Sequence, residues 1–88
     1  MNDATKPDVR QAFFQRARKG VLKFVLDKGG KASLGEMHQH SESKFFIAHQ
    51  NFSKMMESFV DEKLVDFDQA SQIATLTEAG KTFATTLN

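Results

Sequence analysis

The chain has no cysteine, no tryptophan, no tyrosine and a single proline. It also lacks any apolar run approaching the length of a membrane span. Without cysteine there is no disulfide, no thiolate nucleophile and no Cys-ligated zinc, and oxidation state leaves no mark of compartment. Without Trp or Tyr, nine Phe and four Met must fill much of the core. The opening MNDATKPD does not show the basic-then-apolar order of a secretory signal, so cytoplasmic residence without membrane contact is the expectation. A length of 88 residues sets the scale: one small domain, burying roughly 60% of its unfolded surface.

The net charge of +1 conceals an asymmetry. Residues 1–31 hold eight Lys or Arg against three Asp, a net of +5. Residues 32–88 hold four Lys against eight Asp or Glu, a net of −4. A DNA-binding domain shows its basic footprint where it meets phosphate. Here the excess falls on the first helix.

The stretch from Phe52 to Gly80 organises the rest. Phe52, Met55, Met56 and Phe59 recur at spacings of three and four, the signature of one apolar helix face. The period changes after Leu64, where Val65 and Phe67 alternate with Asp66 and Asp68 as in a strand. Gln69–Gln72 fits a hairpin loop, Ile73–Thr77 a return strand, and Thr77 the cap of a last helix through Gly80, Phe83 and Leu87. The pair Leu64-Val65 and the run Leu76-Thr77-Glu78-Ala79-Gly80 resemble the corresponding segments of the winged helix-turn-helix family, over roughly residues 20–87. The resemblance implies an α+β, mainly helical fold: a winged helix-turn-helix with a two-stranded β-hairpin wing. The domain would occupy residues 7–88, behind a polar tail at 1–6.

Pro7 suits the first turn of a helix and Asp8 its positive end, so a helix over Pro7–Lys28, stopped by Gly29-Gly30, is predicted. Gly20 is its weak point, costing roughly 1 kcal/mol against Ala. Phe14, Ala17, Val21 and Val25 form one apolar stripe, and Val9, Phe13, Ala17 and Phe24 a second. Either both stripes belong to the core, or Val9, Phe13 and Phe24 meet the same helix of a second subunit. The family resemblance favours a homodimer. Arg16, Lys19 and Lys23 line the opposite side as a basic stripe; the plain alternative is a solvated face.

Ser33-Leu34-Gly35-Glu36 reads as a capping box opening a short helix to about His40. Ser41–Ser43 reads as a turn, with Ser43 capping a third helix from Lys44 to Lys63. Phe45, Ala48, Phe52, Met55, Met56 and Phe59 then point inward. Ser43, Lys44, Ile47, Gln50, Asn51 and Lys54 lie in the half nearest the turn, where a recognition helix reads bases. Gln and Asn can pair with adenine, Lys with guanine or phosphate, and Ile47 could meet a thymine methyl. Double-stranded DNA is the partner this set implies. Against it, Glu57 and Asp61 lie farther along the face, and the wing offers Asp66 and Asp68 but no Lys or Arg. The alternative is a winged helix used as a protein–protein interaction module.

Catalytic chemistry has little support. His38 and His40 are two apart and diverge on a helix, His49 falls at the edge of the inward face, and Gly29-Gly30 lacks the Lys-Ser/Thr of a phosphate loop. No enzyme, cofactor or metal is expected.

Overall fold

The structure, a computed structural model, describes the backbone of residues 9–86 and the side chains of residues 11–86. Pro7, Asp8, the tail at 1–6, Leu87 and the side chain of Val9 lie outside it. Among the described residues the order is α1 (Val9–Asp27), β1 (Lys31–Ser33), α2 (Leu34–Phe45), α3 (His49–Asp61), β2 (Val65–Asp68), β3 (Ile73–Leu76) and α4 (Glu78–Thr85). The fold is α+β and mostly helical, with a three-stranded antiparallel sheet in the order β1-β3-β2.

The core is one cluster. Ala17, Val21, Leu22 and Val25 of α1 meet Phe52, Met55, Met56 and Phe59 of α3, and Leu64, Val65, Ala74 and Leu76 supply the sheet side. Phe14 and Phe83 pack against its edge. Gly20 does not split α1. A Cβ there would lie 2.2 Å from Cζ of Phe45, so the glycine lets the last turn of α2 press its ring onto α1.

The hairpin over Val65–Leu76 forms as expected, with Val65 opposite Leu76 and Phe67 opposite Ala74. Nothing in the sequence marks strand β1. It is only three residues long, too short for period-two alternation to show, and it pairs Ala32 with Ala74. Gly29 and Gly30, both at φ 91°, turn the chain from α1 into it, and the Gly30 carbonyl accepts from the Leu76 amide at 2.8 Å. The expected two-stranded hairpin is therefore the outer part of a three-stranded sheet.

The helix pair also differs from the sequence expectation. The capping box is present, with the Glu36 amide donating to Ser33 Oγ at 3.1 Å and the Ser33 amide to Glu36 Oε1 at 2.9 Å. However, α2 continues to Phe45 instead of ending near His40. Ser41 and Ser43 do not make the turn. Their hydroxyls donate back to the carbonyls of His38 and Gln39, each at 2.9 Å, a bond compatible with helix interior. The turn is instead residues 46–48, entered through Phe46 in the left-handed conformation (φ 57°, ψ 35°). Helix α3 thus begins at His49, and it ends at Asp61.

Candidate nucleic-acid interface

Moving the turn redistributes the predicted DNA-facing set. Ser43 and Lys44 are exposed on the last turn of α2, not on α3. Ile47 is buried in the turn and cannot reach a base, because the left-handed Phe46 directs the chain so that Ile47 enters the core. Ala48, expected inside, is exposed. Gln50, Asn51 and Lys54 stand exposed on the first half of α3. With a period of 3.6, Gln50, Lys54, Glu57 and Asp61 follow one line opposite the buried face, with Asn51 beside it.

The three helix starts after α1 differ. Helix α2 has its capping box, and α4 has Thr77, whose Oγ1 accepts from the Gly80 amide at 3.0 Å. Helix α3 has Ala48 at its N-cap, which gives no side-chain cap, and no acid in its first turn. Its leading amides therefore keep both their donors and the positive end of the helix dipole for an external acceptor.

Phe46 sits at this same end with 84% of its surface exposed. Holding a non-glycine residue left-handed costs roughly 1–2 kcal/mol, and an exposed ring recovers little of it. Phe46→Gly is expected to raise stability by up to about 1 kcal/mol, the relief of strain exceeding the added freedom of the unfolded chain. A urea-denaturation midpoint at or below that of the parent would show that the ring contributes to the fold.

The basic stripe does not share this surface. Arg16, Lys19 and Lys23 border a groove completed by Gly20, Phe45 and the end of α4, with no residue of α3. Arg18 lies off this stripe and is 5% exposed. Its Nη2 donates to Glu62 Oε1 at 2.8 Å and its Nη1 to Gln15 Oε1 at 2.8 Å, while the guanidinium lies over the rings of Phe59 and Phe83 at 5.5 and 5.2 Å. It joins α1 to the end of α3 and to α4. Nothing in the sequence pairs Arg18 with Glu62, 44 residues away.

Of the second apolar stripe, Phe13 is 42% exposed, whereas Phe24 stacks on His40 at 4.2 Å. Burial, with a contribution from Lys44, lowers the His40 pKa. His49 is exposed, contrary to expectation, and its Nδ1 lies 3.4 Å from Nε2 of His38. Among the described residues no three His, Asp or Glu converge as metal ligands. On the hairpin, Asp68 is committed to its own turn. Its Oδ2 accepts from Ser71 Oγ and from the Ser71 amide, which lowers its pKa. Asp66 remains exposed.

Between α3, the start of α2 and the hairpin runs a groove of about 870 Å³. Phe52, Met56, Val60 and Phe67 give it apolar walls, and Glu57 and Asp61 lie along the α3 edge. Val60 is 45% exposed. Among the described residues no helix is long and apolar enough to cross a membrane. In comparisons with known proteins, no family model, no curated protein and no solved structure matches the chain.

Proposed function

We propose that the chain is a winged helix-turn-helix domain that binds duplex DNA and acts as a transcriptional regulator, with the first half of α3 in the major groove. The element order supports it: helix, strand, helix, turn, helix and then a β-hairpin, with α3 packed on the core by one face and free on the other. The observation that carries the reading is the start of α3. Its uncapped amides can take a phosphate, and Gln50, Asn51 and Lys54 follow within little more than one turn, where bases are read. Lys44 stands near the turn at the end of α2. The hairpin, without Lys or Arg, stays clear of the duplex.

Selection from random duplexes followed by alanine variants tests this. Phosphate attraction alone gives binding that is steeply salt-dependent and indifferent to sequence. Gln50→Ala or Asn51→Ala should relax selectivity at a defined base pair by roughly 1–3 kcal/mol. Lys54→Ala should weaken all sequences and flatten the salt slope by about one if it holds a phosphate. If selection enriches no sequence and binding vanishes at physiological salt, DNA recognition is ruled out. A protein-interaction module is the second reading. It is favoured by the separation of the basic stripe from α3 and by Glu57 and Asp61 on the line of Gln50 and Lys54.

A further inference from the structure

We infer that the groove between α3 and the hairpin is a docking surface for the first helix of a second copy of this chain. Phe13 would be the anchor, and Arg16 and Lys19 would face Glu57 and Asp61.

The large apolar side chains left exposed among the described residues are Phe13, Phe46 and Val60. Two of them mark the two halves of this contact. Val60 opens the groove whose walls are Phe52, Met56 and Phe67. Phe13 projects from a part of α1 that the chain's own core does not cover. A groove with an apolar floor and one acidic edge suits an amphipathic helix with an apolar anchor flanked by cations. On helix α1, Arg16 lies about 60° round the axis from Phe13 and Lys19 about 60° further in the same direction, so the two cations flank one side of the anchor. Glu57 and Asp61, four apart on α3, lie about 6 Å apart along their axis, against about 4.5 Å for Arg16 and Lys19. None of these four has an ion-pair partner among the described residues.

The same charges argue against pairing α1 with α1. Within α1 the one acid, Asp27, stands against Arg16, Lys19 and Lys23, so such a pair offers these cations no acidic edge, and Phe24 is already stacked on His40 within its own chain. Docking into the groove instead sets the basic segment of one copy against the acidic segment of the next. The contact does not depend on DNA binding and is tested on protein alone.

The test is complementation between two exposed-site variants. Phe13→Glu spoils the inserting helix and leaves the groove intact; Val60→Glu spoils the groove and leaves the helix intact. Sedimentation equilibrium of the parent, up to roughly 1 mM, should show association that weakens as salt is raised. Each variant alone should lose roughly tenfold or more in association constant, with an unchanged circular dichroism spectrum. An equimolar mixture should associate again, because one intact helix meets one intact groove. Glu57→Lys with Asp61→Lys should likewise weaken association and recover it when mixed with Arg16→Glu, Lys19→Glu. A parent that stays monomeric overturns the proposal. So does a mixture of Phe13→Glu and Val60→Glu that fails to associate, and so does association sensitive to Phe13→Glu but indifferent to Val60→Glu, the pattern of an α1–α1 pair.

Discussion

Phe59→Ala should leave the domain largely unfolded at 37 °C. Phe59 is the largest side chain that is fully buried, on the inner face of α3 where α1, α3 and α4 converge. Truncating a buried Phe costs roughly 3–5 kcal/mol, from lost transfer energy and from the cavity left behind. Marginal stability of about 0.05–0.15 kcal/mol per residue gives a chain of 88 residues roughly 4–13 kcal/mol in all, of which this loss is a large share. The loss extends further here, because the Phe59 ring is also one of the two surfaces under the nearly buried Arg18 guanidinium. Thermal unfolding followed by circular dichroism should show Tm falling by roughly 15–30 °C, since 1 kcal/mol is worth about 4–8 °C at this size. Phe59→Leu, which keeps much of the apolar volume, should lose clearly less. A Phe59→Ala protein melting with the parent would mean that this face of α3 is not in the core.

What the sequence makes legible here is periodicity over enough turns. The face Phe52, Met55, Met56, Phe59 repeats at three and four, and all four are buried. The strands at Val65 and Ile73 are bracketed by a polar loop, and the hairpin follows. The boundary between α2 and α3 is not legible in this way, because two rules compete over residues 41–48. Serines are good caps and turn formers, yet a helical serine can donate to the carbonyl three or four residues back, as Ser41 and Ser43 do. The actual stop is a left-handed Phe, a residue with no propensity to announce it.

That shift decides the candidate site. Gln50, Asn51 and Lys54 stay exposed under either boundary, since the register of α3 is set by its long apolar face. Ser43, Lys44 and Ile47 depend on where the turn lies, and they leave the recognition face. The groove beside α3 was not legible at all. Its walls come from three elements whose spacing is tertiary, and Val60 alone looks like one more apolar helix residue. Arg18 was hidden for a related reason: burying a guanidinium requires Glu62, Phe59 and Phe83 around it, none of them near in sequence.

Gly80→Ala should cost about 3 kcal/mol or more, although it replaces glycine by the best helix former inside a helix. A Cβ at Gly80 would lie 2.0 Å from the carbonyl oxygen of Leu64 and 3.0 Å from its carbonyl carbon. These are backbone atoms, so no rotamer change relieves the contact. Nor is the backbone free to move: the Leu64 carbonyl accepts from the Thr77 amide at 3.0 Å, and Thr77 Oγ1 donates to the Lys63 carbonyl at 2.7 Å while accepting from the Gly80 amide. Leu64-Val65 and Leu76-Thr77-Glu78-Ala79-Gly80 are therefore two halves of one joint. The start of α4 is clamped on the residues leading into β2, and only glycine at the fourth place after Leu76 lets the clamp close. An added methyl must lift α4 and break the Thr77 bonds, withdrawing Ala84 and Phe83 from the core at the same time. The contrast is Gly35 on α2, where an added Cβ meets nothing within 4 Å. Gly35→Ala should gain roughly 0.5–1 kcal/mol from helix propensity. Urea denaturation of the two variants beside the parent should thus give midpoints shifted in opposite directions. If Gly80→Ala instead gains stability as Gly35→Ala does, α4 does not approach Leu64 this closely and the joint is looser than its hydrogen bonds imply.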